Sequence, residues 1–453
     1  MKKLVHAKGF RHDSETALPL QSWEGEPITP EEHNAQAPGK LVDPGVDLST
    51  AAWLPFPLNP PDNPTLEAVE EVWGLSVIRD IPFSSWHSDA TVRGLIERIA
   101  SHRGIAMMNG VRQDTGDTKD ILPGQDMTLP GPFVSQFLMD EVPAGPYVIS
   151  RDIRPSADYG RTHKEAAAMF SMDGVNVPHK VDPSIAHAAR SPRTIARLVE
   201  NDFPGQHWIH AWLTLMNKFG LRAQGHADSD QNQIDWCDGG IGNLIYHLFQ
   251  SIDDAMPITW TATKWAHKHI RPAPFGAYMD NAKPSDPDFK HYQELEFVKR
   301  ARSINGNFLL PVASRNGEPP HGEFVTGHDT CEGVGSTLTR SFFDPNDDQP
   351  WPDHIKVGAT DAPGLMTISS EALKQADNLG AGRRMLGVHW FYSSIAGRAL
   401  GEAVALRHLR EKGLNVPKPV WGPLWEETIE RLDLSTERYQ ITTPQFGAVD
   451  EEE

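Results

Sequence analysis

The sequence predicts an all-α protein with long loops. Three observations point there: apolar residues recur at helical spacing along most of residues 64–412, strand-type alternation never lasts beyond a few residues, and proline, glycine and small polar residues punctuate the helical stretches. Hydrophobic residues make up 39% of the 453, with 13 Trp and 18 Phe, which is ample for a sizeable core.

Residues 1–62 are rich in charge and proline and run into LPFPLNPPDNP, with five prolines between Pro55 and Pro64. Such a composition reads as an extended arm, wrapped on the body or on a partner subunit, so a homo-oligomer is expected. Helical order begins at Asn63-Pro64, an N-cap followed by Pro at the first helical position. Leu66, Val69, Trp73 and Val77 then recur at helical spacing, with a stop near Asp80-Ile81-Pro82. A second loop-rich stretch covers 110–135. Further helices are expected over 160–172, 192–202, 205–219, 232–252, 254–271, 289–303, 330–343, 367–380 and 389–412. The expected organisation is an arm (1–62), an N-terminal helical part (63–200), a helical bundle (201–412) and a C-terminal extension (413–453) ending in the acidic AVDEEE.

Lys and Arg number 42 against 61 Asp and Glu, a formal charge of −19. That balance argues against nucleic acid and anionic membranes as partners. It leaves room for a small anion in a locally basic pocket. No apolar run approaches the roughly 18 residues of a spanning helix. The start, MKKLVHAKGFRHDSE, lacks an apolar h-region. Neither a spanning helix nor a secretory signal is expected, and a cytoplasmic location is the default. Cys237 and Cys331 are too few for a disulfide framework and read as small buried hydrophobes.

Three segments in the second half carry chemistry. The first is Lys264-Trp-Ala-His-Lys-His-Ile-Arg271-Pro272, a local reversal of sign in an acidic chain. Lys264 and Arg271 are seven apart, so on one helix they share a face, roughly 10 Å apart along the axis, with Pro272 ending the helix. Two long cations can converge on one anion from there. The second is Val325-Thr326-Gly327-His328-Asp329, just before a helical pattern. It can offer the Thr326 hydroxyl and the Gly327 N–H to an oxyanion, with His328 as a proton-transfer group. The third is Gly382-Arg383-Arg384-Met-Leu-Gly387-Val-His389. Arg383 and His389 are about 240° apart on a regular helix and share a site only if the backbone breaks, as Gly387 permits. Taken singly, each segment also suits a solvated helix end, a capping turn or a satisfied core histidine.

Together, in this order, they resemble the K-x6-RP, PSGH-type and SR-x3-G-x-H motifs of the vanadium-dependent haloperoxidases and type-2 phosphatidic acid phosphatases. Residues 273–324 and 329–381 fill the two intervals, lengths that superfamily uses. The stretches VWGLSVIRDIPF, GPFVSQFLMDEVPAGP and GVHWFYSSIAGRALGEAVALRHLRE are similar to the haloperoxidase branch, closest in style to bacterial and algal bromoperoxidases. The resemblance implies an all-α scaffold of two four-helix-bundle-like halves. It implies vanadate as cofactor, with His389 bonded to vanadium and Lys264, Arg271, Arg383, Thr326 and Gly327 around its oxygens. His328 matches the acid–base histidine, and His321 a histidine that algal bromoperoxidases place beside the vanadate. The implied reactants are hydrogen peroxide, a halide (bromide or iodide rather than chloride) and a small organic acceptor, with phosphate as a competing anion. Vanadium would act as a Lewis acid without changing oxidation state, and Lys264 would polarise the bound peroxide.

The chain departs from that pattern in places. Val325-Thr326 replaces Pro-Ser, Gly382 replaces Ser, and Asp329 follows His328 where a small residue is common. Thr261, three before Lys264, replaces a bulky or cationic residue of the halide site. Ser393 stands four after His389, where the superfamily carries Asp. A carboxylate there orients the imidazole, so either weaker vanadate binding or a replacement partner is expected.

The alternative is an acid-phosphatase-like phosphomonoesterase with His389 as nucleophile, or a degenerate anion-binding member. His207-x-x-His210 reads as core histidines. Asp344-x-Asn346-x-Asp348 opens like a calcium loop but lacks its Gly and Glu. Gly397 and Gly401 suggest tight helix contact.

Overall fold

In the computed structural model the described residues are 63–102, 107–108, 111–112, parts of 135–150, 157–170, 191–200, 204–223, 240–282, 287–350 and 367–420, apart from a few positions within these ranges. The expected arm (1–62), most of the loop-rich stretch 110–135, Cys237 and residues 421–453 lie outside them.

Helices dominate, as expected. α1 is Leu66–Ile78; its N-cap is Thr65, whose hydroxyl accepts from the Ala68 N–H at 3.2 Å, so the helix starts two residues after the expected Asn63 cap. α2, Ala90–His102, was not anticipated, although Asp89 caps it by accepting from the N–H groups of Thr91 and Val92. Two short antiparallel hairpins follow: β1 (Met107–Met108) with β2 (Val111–Arg112), and β3 (Glu141–Ala144) with β4 (Tyr147–Ser150). Strands of two to four residues carry too little alternation to be read from sequence.

Next come α3 (His163–Phe170), α4 (Pro192–Leu198) and α5 (Pro204–Leu213), the last continuing as a π-helical turn over Thr214–Lys218. α6, Ile241–Pro257, likewise runs on as a wider π-helical stretch, Ile258–Trp265. α7 is Pro272–Asn281, α8 Pro287–Gln293 and α9 Glu296–Asn305, so the single helix expected over 289–303 is two. α10 (Gly327–Phe343), α11 (Ile368–Leu386) and α12 (Phe391–Glu411) complete the order.

Among the described residues the core has three large apolar clusters, the first of which, with Val72, Phe275, Tyr292, Val298 and Leu400, joins α1, α7, α8, α9 and α12. Leu75, Leu95, Ile99, Ile195 and Met385 join α1, α2, α4 and the end of α11. Trp208, Leu248, Leu338, Ala372 and Leu409 join α5, α6, α10, the start of α11 and α12. Between them α10 and α12 cross with backbones nearly in contact. A Cβ at Gly397 would stand 2.6 Å from the Thr326 carbonyl oxygen and 3.0 Å from Asp329 Cβ. One at Gly401 would meet the Thr330 carbonyl, and one at Gly333 the Arg398 carbonyl. The expected tight contact at Gly397 and Gly401 is therefore this crossing.

A buried ion-pair network ties α4 to α1. Asp158 accepts from Arg193 at 2.8 Å, from Arg161 at 2.7 Å and from Arg79. Arg79 also donates to the Pro311 carbonyl at 3.1 Å, and the Arg193 N–H to the Arg79 carbonyl at 2.9 Å. Burial alone would push the Asp158 carboxyl up; Arg79 and Arg193 outweigh it and hold it well below the usual range.

Candidate active site

The three motif segments meet. Lys264 lies in the last turn of the π-helical stretch, but the chain does not continue as one helix to Arg271. Lys268 takes φ 47°, and Arg271, extended at φ −84° and ψ 160°, is the N-cap of α7. The expectation of one helical face ending at Pro272 is thus overturned: Pro272 is the first residue of a helix. Proline disfavours a helical residue before it yet suits the first turn, so the same residue reads as a stop or a start.

Arg271 is buried and holds the pocket wall. Its Nε donates to the His321 carbonyl at 2.8 Å and its NH1 to the Val388 carbonyl at 2.7 Å. NH1 also lies 3.3 Å from His389 Nε2, and NH2 lies 3.2 Å from His321 Nδ1. Lys264, 1% exposed, donates from Nζ to the Glu323 carbonyl at 3.0 Å and lies 5.7 Å from the centre of the Trp260 ring. Trp260 in turn packs edge-on against His321, ring centres 4.4 Å apart. Thr261 lies on the same π-helical stretch, and its side chain is outside what the structure describes.

The expected break at Gly387 is present. Gly387 sits at φ 91° and closes α11, its N–H donating to the Arg383 and Arg384 carbonyls. The chain then turns through His389 before α12 begins, which brings Arg383 and His389 to one pocket. Arg383 NH1 donates to the Val199 carbonyl at the end of α4, 2.8 Å, and its Nε is buried with no partner.

Gly327 is the first residue of α10 and Thr326 its N-cap, though the Thr326 hydroxyl caps nothing. It bonds Ser393 Oγ instead, at 3.0 Å. His328 Nε2 is buried without a partner, and its ring also faces the Val199 carbonyl. Asp329 is buried in the first turn of α10. It faces Arg398, which bridges it at 3.5 Å and Asp377 at 2.8 Å, and it packs against Gly380.

Two groups that carry the geometry were not anticipated. Glu323, fully buried, lies 2.7 Å from His389 Nδ1 through Oε1, which also accepts the Trp390 N–H at 3.0 Å. Ser393 does not reach His389. Glu318, 5% exposed, accepts from the Ala273 N–H at 3.4 Å behind Arg271. Nothing in the sequence marks a lone Glu between Gly322 and Phe324 as buried. The Val199 carbonyl, a main-chain group, leaves no mark at all.

The electrostatics suit an anion. Burial, reinforced by Arg271, pushes the Lys264 ammonium well below its ordinary value and Arg383 down to about 9. Burial and the neighbouring cations also keep His321, His328 and His389 neutral. Burial lifts Glu323 to about 7 and Glu318 to about 8 against the pull of Arg271. Three converging buried cations that depress one another are short of negative charge. Unpartnered Arg383 Nε shows where a donor remains for a compact oxyanion, with the bare His328 Nε2 beside it as a proton acceptor, and the residues fit vanadate or phosphate alike.

Elsewhere, His207 and His210 are buried on α5, and among the described residues no three His, Cys, Asp or Glu side chains group as metal ligands. Asp344 is spent on the backbone: it accepts the N–H groups of Asp348, Gln349 and Ser369 at 2.7–2.9 Å, which argues against a calcium loop.

The family described as VCPO second helical-bundle domain matches residues 243–412, the stretch that holds Lys264, Arg271, the 326–328 turn, Arg383 and His389. The vanadium-dependent bromoperoxidase of Ascophyllum nodosum is 24% identical over 435 residues, covering 87% of this chain and 76% of that protein. Over most of its length the chain is thus similar to vanadium-dependent haloperoxidases. The vanadium-dependent bromoperoxidase of Corallina officinalis is 22% identical over 447 residues, covering 82% of this chain and 74% of that protein. Among solved structures, the second vanadate-dependent bromoperoxidase of A. nodosum, described as homohexameric, shares the fold with a TM-score of 0.60 at 21% identity. That match covers 76% of this chain and spans 64% of the solved one. Where the sequence resemblance implies an Asp at position 393, the chain has Ser393, and the His389 imidazole pairs with Glu323 instead.

Proposed function

We propose that this chain is a vanadate-dependent haloperoxidase that oxidises halide, bromide or iodide rather than chloride, with hydrogen peroxide to hypohalous acid. The observation that carries the reading is the convergence of buried Lys264, Arg271 and Arg383 on His389, whose Nε2 faces Arg271. The bromoperoxidase relatives support the choice of chemistry.

In this reading Lys264, Arg271 and Arg383 balance the oxyanion's charge, the Gly327 N–H at the α10 N-terminus donates to it, and His389 Nε2 ligates the metal. When bound, vanadate supplies a Lewis acid that activates peroxide toward halide. His328, neutral in its buried position, takes the proton that peroxide must lose and returns it to the departing water. Trp260 and His321, half-exposed, form the side of the pocket that halide and organic acceptor meet first. By analogy with the homohexameric relative, the chain assembles with copies of itself, and light scattering that gave a monomer would overturn this.

A phosphatase reading gains one point. A nucleophilic imidazole needs a partner carboxylate, and Glu323 supplies it. A two-arm assay on metal-stripped protein in phosphate-free buffer separates the readings. One arm supplies orthovanadate, peroxide and each halide, and follows dye halogenation; the other supplies p-nitrophenyl phosphate alone. Vanadate-dependent halogenation lost in His389→Ala is expected. Phosphate release without halogenation would favour the phosphatase, and silence in both arms a degenerate anion binder.

A further inference from the structure

We infer that Glu323 is the positioning residue of this site: it has taken over, from the opposite wall of the pocket, the task the resemblance gives to a carboxylate at 393, and it fixes His389 in the tautomer that can ligate a metal. The inference rests on the reading of His389 as the metal ligand.

The argument is one of hydrogen-bond roles. The Trp390 backbone N–H can only donate, so Glu323 Oε1, which receives it at 3.0 Å, is an acceptor. His389 Nδ1 meets that same oxygen at 2.7 Å and must therefore carry the proton. From the other side, the Arg271 guanidinium can only donate, and it faces Nε2 at 3.3 Å. With Glu323 ionised, or protonated on Oε2, both neighbours thus dictate a single tautomer, Nδ1–H with a bare Nε2. The bare nitrogen looks into the cationic pocket.

Position 393 has changed in step. Ser393 turns to Thr326, Oγ to Oγ1 at 3.0 Å, and the Thr326 N–H donates to the Ser393 carbonyl at 3.3 Å. Serine here pins the turn that starts α10, while Glu323 holds the histidine. The Glu323 backbone is tied on both sides, its carbonyl by Lys264 Nζ at 3.0 Å and its N–H by the His269 carbonyl at 2.9 Å. One residue therefore links the ammonium of the first motif to the imidazole of the third.

The test uses the full chain and two readouts: the His389 tautomer by 15N NMR in anion-free protein, and orthovanadate affinity by calorimetry. Wild type is expected to show the Nδ1–H form alone. Glu323→Ala should show mixed tautomers and bind vanadate about 10–100-fold more weakly. Glu323→Gln keeps the shape and an acceptor oxygen, so it should keep the tautomer and lose several-fold in affinity. The double variant E323S with S393D should regain most of the loss. Unchanged tautomer and affinity in Glu323→Ala and Glu323→Gln would overturn the inference, and a double variant no better than Glu323→Ala would overturn the exchange of roles. A wild type that shows the tautomer shift on mutation yet binds no vanadate would instead fell the haloperoxidase reading and leave the positioning role standing.

Discussion

Arg383 and His328 end on one acceptor: the Val199 carbonyl takes the Arg383 NH1 bond at 2.8 Å and faces the His328 ring. Two groups of the candidate site, from different helices, are thus set by the last turn of α4. That helix is held by the buried Asp158–Arg79–Arg193 network. Asp158→Asn leaves the buried Arg79 guanidinium without its paired carboxylate, while Arg193 keeps Asp80, and is expected to cost about 3–5 kcal/mol. Urea denaturation at neutral pH measures it, and a loss below about 1 kcal/mol would show that α4 stands without the network.

The fork of Arg383 does two jobs, NH1 on Val199 and Nε toward the pocket. Lysine has one ammonium and cannot do both. Arg383→Lys is expected to weaken phosphate and vanadate binding at least about tenfold, or 1.4 kcal/mol. Calorimetric titration with either anion checks it, and equal affinity would mean that only charge matters there.

Gly397 and Gly94 make a matched pair. A methyl at Gly397 meets main-chain and side-chain atoms of α10 and its cap within 3.0 Å, whereas at Gly94 nothing lies within 4 Å. Gly397→Ala should destabilise by about 1–3 kcal/mol. Gly94→Ala, on a helix face with room, should stabilise by roughly 0.5–1 kcal/mol. Thermal unfolding of the two variants should therefore move in opposite directions.

Glu318 predicts a pH effect. Burial raises its carboxyl from 4.5 to about 8, so the folded chain keeps a proton that the unfolded chain has lost. Stability therefore falls as pH rises from about 4.5 to 8 and levels off above. Glu318→Gln keeps an acceptor for the Ala273 N–H and removes the titration. Its stability should decline less steeply across that window, by up to about 1.4 kcal/mol per pH unit. Denaturation series between pH 5 and 8 in phosphate-free buffer test this; parallel curves for variant and wild type would contradict it.

Much of the site was legible because its residues carry local marks. Gly387 announces its own left-handed turn, so the meeting of Arg383 and His389 could be foreseen. The 326–328 turn sits at a helix start, as its Thr-Gly composition suggests. Other parts depended on the rest of the chain. Pro272 is a boundary in either direction, and only the extended Arg271 shows which. The spacing of Val92, Leu95, Ile96 and Ile99, behind Asp89, is the local mark of α2. Glu323 and Val199 gain their roles from long-range packing alone: Glu323 lies 66 residues from His389 and Val199 lies 184 from Arg383.

The cationic pocket also bears on how this protein is handled. Lys264, Arg271 and Arg383 are pressed together at an electrostatic cost that the unfolded chain does not feel. Any oxyanion that settles among them acts as a ligand of the folded state alone and lifts its stability by mass action, by about 2.7 kcal/mol at a hundred times its dissociation constant. On the proposed function, phosphate in a purification buffer would be a silent stabiliser and a competitor for vanadate at once. Melting temperatures taken with and without it would describe two different species.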